Sequence, residues 1–208
     1  MAELGRELRR KDFWWAALSA WLAVIALDEL LAMKGWQFAP RIGALVAAAL
    51  HVQSACLFLV RDRARYSLQS PGGLAVAVAG VSYVFLYEAA PAGELSVALG
   101  GVLTAVGGLL AFLGAARLSR SYGVLPALRA LETRGIYGRV RHPIYAGYLV
   151  LDLGIVVWSP SAWNGTVCAL GLALTFCRIR YEERVLSLDA RYQRYRAAVR
   201  YRLVPGLF

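Results

Sequence analysis

Apolar runs long enough to cross a bilayer constrain this chain more than anything else in it. They fall at about 13–33, 42–60, 73–90, 95–118, 143–158 and 162–177, and most charged residues sit in the gaps between them. A helix rises about 1.5 Å per residue, so roughly 20 apolar residues cover the ~30 Å hydrocarbon core. In lipid only helices and closed barrels satisfy their own backbone groups, and no alternating strand pattern runs through the sequence. The sequence therefore predicts an all-α integral membrane protein with about six transmembrane helices. Ser159-Pro160-Ser161 read as the tight turn between the last two.

Composition agrees. Hydrophobic residues make up 59% of the chain and the mean hydropathy is +0.53, against about 45–50% apolar in ordinary soluble domains. The net charge of +10 raises the question of nucleic acid, and the positions of the bases answer it. With six crossings, all of the 23 Lys and Arg except Lys34 and Arg41 fall on one side. The positive-inside rule makes that side the cytoplasm and places both termini there. The bases then face an anionic inner leaflet, and the partners expected are the lipid bilayer and a lipophilic substrate, with no nucleic acid. The Tyr/Arg-rich tail from Tyr181 to Tyr201 reads as an interfacial amphipathic helix. A basic start before an apolar run also describes a leader peptide, but Asp28-Glu29 close the first run without a small-residue cleavage site, so it is read as a retained span.

Several features inside the spans ask for partners. Gly100, Gly107 and Gly114 recur at seven-residue spacing beside Gly101 and Gly108, a small-residue face for close helix packing. Cys56, Cys168 and Cys177 lie in apolar runs without framework spacing and are expected to be buried free thiols, with no disulfide or metal role. His51 and Asp152 fall at mid-membrane depth, where ionisable groups are costly. A His51–Asp152 contact between the second and fifth spans would satisfy both; separate hydrogen bonds to neighbouring helices would do so equally well.

The chemistry concentrates after residue 118, dividing the chain into an N-terminal set of four spans, 1–118, and a region 119–208 holding the candidate site. At its centre is Arg141-His142-Pro143-Ile144-Tyr145-Ala146-Gly147-Tyr148. Pro143 suits the first turn of a helix, which leaves His142 at a helix mouth that attracts anions. Gly135-Ile136-Tyr137 precede it. One apolar hairpin later comes Arg178-Ile179-Arg180-Tyr181-Glu182-Glu183, where Arg178 and Glu182 share a helical face. Each piece alone has a plain structural reading: a cap, an aromatic belt, a solvated charge run.

Their joint order resembles the isoprenylcysteine carboxyl methyltransferase family over roughly residues 120–208. The resemblance implies S-adenosylmethionine as cofactor, bound at the cytoplasmic end of the last helical hairpin without a Rossmann domain. Carried over by position, the cofactor contacts fall on Leu131, Glu132, Tyr137, His142, Pro143, Ile144, Tyr145 and Glu182, with Glu183 beside them. The contact to the substrate carboxylate falls on Arg178, which would orient the acceptor. Arg129-Ala130-Leu131-Glu132 departs from the short basic-apolar run usual at that place in the family. The activity implied is methyl transfer to a lipophilic acceptor, a carboxylate such as an isoprenylcysteine-like group, with a thiol or a phospholipid amine as alternatives. NADPH-dependent membrane reductases resemble the chain in hairpin and Arg-His-Pro segment, but tend to carry Asn where Ile144 stands and Glu where Tyr148 stands. A transporter would call for inverted repeats or broken midplane helices, and the spans show neither.

Overall fold

A computed structural model describes residues 2–33, 38–67 and 70–207, with side chains from residue 12 onward. Lys34 lies outside the described residues. Seven α-helices carry most of them: α1 (Ala2–Ala32), α2 (Phe38–Val60), α3 (Pro71–Ser82), α4 (Glu94–Leu118), α5 (Pro143–Trp158), α6 (Ala162–Leu186) and α7 (Ala190–Ala198). Two-residue strands β1 (Tyr66–Ser67) and β2 (Ala127–Leu128) pair antiparallel and bring the α2–α3 and α4–α5 connections together.

In space α1 lies on α2, α2 on α4, α4 on α5, α5 on α6, and α6 on α3. The α4–α5 contact is the closest, and glycine makes it possible. A methyl group on Gly107 would collide with the Leu151 amide, and one on Gly147 would sit 2.5 Å from the Ala111 amide. Gly100 and Gly114 face α5 in the same way, while Gly101 and Gly108 face Phe38 and Val46 of α2. The seven-residue glycine spacing is therefore a two-sided packing device, with α4 wedged between its neighbours.

Among the described residues four helical segments are long and apolar enough to cross a membrane: Asp12–Ala32, Phe38–Val60, Glu94–Ser121 and Ala162–Leu186. The chain is an integral membrane protein on that ground. The expected third and fifth spans are shorter. The twelve-residue α3 runs on as a 3-10 turn, Tyr83–Leu86, and α5 has 16 residues, about 24 Å of α-helix at ~1.5 Å per residue. The third run was expected to reach residue 90 and stops at Leu86 because its end is captured from elsewhere. Asn164, fully buried, donates to the carbonyls of Glu88 (2.8 Å) and Ser159 (2.7 Å) and accepts from the Glu88 amide (3.0 Å). Ser159 donates to the Glu88 carbonyl and accepts from the Ala90 amide. One buried amide thus ties the α5–α6 turn to the segment after α3.

Two sequence expectations are corrected here. His51 and Asp152 do not pair, because α4 stands between α2 and α5; Asp152 instead accepts from the Tyr83 hydroxyl at 2.5 Å. The helix α2 docks on its neighbours through Gln53, which donates to the Phe112 carbonyl, and Ser54, which meets the Tyr122 hydroxyl. The cysteines are free, but Cys56 and Cys177 point outward from the bundle rather than into it. An apolar run in a membrane protein is apolar on its lipid face as well, so membership of the run does not give the side.

Candidate active site

The Arg141-His142 step leaves α5 by an extended path and pairs with the tail. The Arg141 amide donates to the Tyr201 carbonyl (3.0 Å) and the His142 amide to the Arg202 carbonyl (2.8 Å). His142 caps α5 by position, with Pro143 in the first turn. Beyond the pairing, Leu203 buries itself against Tyr145, Ala146 and Ile179. The tail is thus not one interfacial helix, as expected for 181–201. It breaks after α6, reforms as α7, and turns Tyr192 and Tyr195 inward, 2% and 8% exposed. The Tyr195 hydroxyl donates to the Tyr137 carbonyl at 2.7 Å, and burial pushes both tail tyrosines above the ordinary phenol range.

Glu183 is the knot of this junction. Its side chain is 8% exposed and accepts from Arg141 Nε (2.8 Å), Arg202 Nε (3.2 Å) and the Tyr192 hydroxyl (3.3 Å), with His142 Nε2 at 3.3 Å. Arg141 Nη1 donates to the Val199 and Arg200 carbonyls. One carboxylate on α6 therefore holds the hinge and the tail to each other. A buried charge is tolerable when it is paired and hydrogen-bonded in this way.

One residue earlier, about a hundred degrees around the helix, Glu182 faces a cleft. The cleft lies between α6, the start of α5, the end of α4 and the 121–137 loop; its non-atom space, mouth included, is about 800 Å³. Of the ten residues singled out in the sequence, eight line it: Leu131, Glu132, Tyr137, His142, Ile144, Tyr145, Arg178 and Glu182. Pro143 and Glu183 stand behind its wall. Tyr122, Arg129, Tyr148, Tyr192 and Tyr195 line it too; Tyr148 stood in the central stretch of the sequence reading, and none of the five was given a contact there. All except Tyr122 fall in or beside the quoted segments, so the aromatic density there was a usable signal.

The polar groups are arranged in layers. Tyr145 donates to Glu182 Oε2 (2.8 Å), and its ring lies between the His142 imidazole (5.6 Å between centroids, stacked) and the Arg178 guanidinium (5.0 Å). Glu182 Oε1 has no partner among the described residues. Glu132 accepts from the amides of Thr133 and Arg134 and faces Arg117 at 3.8 Å. Tyr137, 5% exposed, donates to the Gly114 carbonyl; burial first, then the Glu182 charge, hold its phenol protonated. Arg178 is 8% exposed and donates to the Gly80 carbonyl of α3 at 3.1 Å. Gly80 leaves the room for it, since a methyl there would press on the Arg178 side chain. Among the described residues no carboxylate pairs with Arg178.

The cleft thus offers a cation that no carboxylate reaches within salt-bridge distance among the described residues, a free carboxylate oxygen, a helix start and several aromatic faces. That set suits a zwitterionic aromatic ligand better than a purely anionic one. Among the described residues no cluster of three or more His, Cys, Asp or Glu stands ready for a metal.

The family described as phospholipid methyltransferase matches residues 95–192. The matched segment runs from α4 into α7 and contains the hinge, both glutamates and Arg178. That family is one of integral membrane methyltransferases. The isoprenylcysteine carboxyl methyltransferase resemblance lies within that same family. No curated protein matches the chain. The match supports methyl transfer as the activity and leaves open the atom that receives the methyl group.

Proposed function

We propose that this membrane methyltransferase uses S-adenosylmethionine to methylate a lipophilic carboxylate held by Arg178. The observation that carries the reading is Arg178 itself: a buried guanidinium at the cleft wall, between α3 and the cleft, without a carboxylate partner among the described residues. A buried charge of this kind calls for an anion.

The donor residues suit S-adenosylmethionine. Glu182 Oε1 would accept from its ribose hydroxyls or ammonium. The rings of Tyr137 and Tyr145 would face adenine or sulfonium, whose charge favours an aromatic face. The first-turn amides of α5, beside His142, would receive its carboxylate. When bound, the donor supplies an electrophilic methyl group on sulfur. A carboxylate is already a nucleophile, so the chain needs no general base. Its work is to align the acceptor through Arg178, keep water out with the surrounding tyrosines, and turn a bimolecular encounter into a positioned one, for which about 7–11 kcal/mol of barrier lowering is available. With Glu182 one helical turn beyond Arg178, one face of α6 would hold donor and acceptor together. Six crossings, with both termini and the cleft in the cytoplasm, complete the reading; it rests on the one-sided Arg distribution.

The test uses purified protein in detergent with methyl-labelled donor and a panel of lipophilic acids, thiols and phosphatidylethanolamine. Label recovered as an alkali-labile methyl ester supports the reading, and Arg178→Ala should lower turnover far more than donor binding. Full turnover in Arg178→Ala removes Arg178 from the acceptor site. A second reading follows from the matched family: methyl transfer to a phospholipid amine, Arg178 then holding the lipid phosphate, with alkali-stable label as its signature. Binding of NADPH in preference to S-adenosylmethionine by calorimetry would favour a reductase over both.

A further inference from the structure

Beside the cleft, and sharing Arg129, Ala130, Leu131 and Tyr195 with it, a second groove opens between the α2–α3 connection, the 129–138 loop and α7. It is larger, about 1610 Å³ with its open side, and its walls carry Arg63, Arg65, Arg129, Arg191 and Arg194 against a single carboxylate, Asp62. That carboxylate already faces Arg120 at 3.6 Å, and Arg191 is taken by Asp189 at 2.7 Å. Arg63, Arg65 and Arg194 have no ion pair among the described residues.

The crowding of positive charge reaches inside. Arg129 donates to the Asp62 carbonyl, and a methyl placed on Gly123 would touch the guanidinium groups of both Arg129 and Arg61. Burial, then the neighbouring Arg61 charge, bring the Arg129 guanidinium down to about 10. Arg61 is paired with Asp12, but Arg63, Arg65 and Arg194 converge on the groove with Asp62 as its single wall carboxylate, and guanidinium groups so placed suit phosphate oxygens, which they bind in a fork. The groove's location selects the source. Arg63 and Arg65 follow within five residues of Val60, the last residue of a membrane-length helix, so the groove opens beside the membrane end of α2, where lipid phosphates lie.

We propose that this groove binds the phosphate of an anionic phospholipid headgroup, with Arg63, Arg65 and Arg194 as its ligands. The site is separate from the donor cleft and stands whether or not the proposed acceptor is correct. Near a membrane surface each such base contributes roughly fivefold in affinity, so removing three should cost on the order of a hundredfold.

The experiment titrates the full chain in neutral detergent with short-chain phosphatidylglycerol by calorimetry, with phosphatidylcholine and inorganic phosphate as parallel arms. Wild type should bind phosphatidylglycerol about a hundredfold more tightly than R63Q/R65Q/R194Q, and phosphatidylcholine should bind both proteins alike. R63K/R65K/R194K, which keeps charge and loses the fork, should fall between them. Equal phosphatidylglycerol affinity in wild type and the triple Gln variant would overturn the site. Inorganic phosphate binding as tightly as the lipid would overturn the lipid as its source. All three side chains are exposed, and an unchanged unfolding temperature in the Gln variant would confirm that a loss of binding is local; were that variant to unfold, R194Q alone must show a loss of several-fold or the proposal fails.

Discussion

Glu182 and Glu183 are chain neighbours with separable jobs, and substituting each with Gln should separate them. Glu183→Gln keeps the shape and removes the charge that Arg141, Arg202 and His142 share. Arg141 is 4% exposed at its side chain, so it cannot turn to water. Breaking a buried pair from one side costs about 3–5 kcal/mol. The lower end applies here, because Arg141 keeps its bonds to the Val199 and Arg200 carbonyls. For a chain of this length each kcal/mol moves the unfolding midpoint by roughly 2–4 °C, which predicts a drop on the order of 6–12 °C. The tail should loosen as well, since Glu183 is what Arg202 and Tyr192 hold. Glu182→Gln disturbs one bond, from the Tyr145 hydroxyl, and should cost about 1 kcal/mol of stability. Its effect belongs in donor binding: loss of a charged acceptor is worth about 1.5–3 kcal/mol, roughly 10- to 150-fold in dissociation constant. The assays are tryptophan-fluorescence melting and limited trypsinolysis of the tail in detergent, beside calorimetric titration with S-adenosylmethionine. A Glu183→Gln protein that melts within a degree of wild type, with its tail protected, would refute the knot. A Glu182→Gln protein with unchanged donor affinity would refute the cleft assignment.

Gly107→Ala should destabilise by about 1–3 kcal/mol, because the new methyl meets α5 backbone rather than a movable side chain; Gly43→Ala, with nothing within 4 Å, should be neutral or stabilising by up to about 1 kcal/mol, both read by thermal melting. Asp152→Leu should cost about 1–3 kcal/mol by orphaning the Tyr83 hydroxyl, and adding Tyr83→Phe should recover most of it. A double-mutant cycle between His51 and Asp152 should show no coupling beyond about 0.5 kcal/mol. Tyr137, Tyr192 and Tyr195 are held by burial above the ordinary phenol value of 10. Groups raised in the folded state contribute stability that is complete below the unfolded value and is lost progressively as pH rises from there through the folded value. The melting temperature should therefore stay level up to about pH 9.5 and fall above 10, and a tyrosinate absorbance that rises without any loss of helix would contradict this.

What the sequence revealed and what it hid follow one division. Local signals carried well: Pro143 starts α5, the glycine face of α4 meets a partner, α6 continues past residue 177 with Arg178 and Glu182 a turn apart, and most of the quoted site residues share one cleft. The first three depend on spacing within a dozen residues; the shared cleft, which joins Leu131 to Glu182, followed from the family resemblance. Long-range pairings did not carry. Asn164 reads as an ordinary polar residue near a turn, yet it decides where the segment after α3 stops. Asp152 was legible as a residue in need of a partner, but the order of helices in space, not periodicity, gave it Tyr83 instead of His51. The tail's Tyr/Arg rhythm fits a membrane-surface helix equally well, until Leu203 and the Tyr201–Arg202 carbonyls are seen to complete the hinge.

That last pairing explains why the cleft sits where it does. The helix α5 is short, and its start cannot be fixed by lipid alone; it is fixed by the tail segment at Tyr201–Arg202 and by one carboxylate from α6. The same carboxylate belongs to the helix that carries Arg178 and Glu182 into the cleft. The hinge contact of Glu183 and the places of Glu182 and Arg178 in the cleft are therefore set by the rotation of a single helix. A change that turns α6 by even part of a residue would move Arg178 off Gly80 and Glu183 off Arg141 together. Activity and tail protection should accordingly be lost in step in any variant that disturbs α6 packing from the membrane side. Gly171→Ala is such a variant, since the added methyl would drive into the Tyr83 ring. If it abolished methyl transfer while leaving the tail fully protected, the single-helix coupling would be wrong.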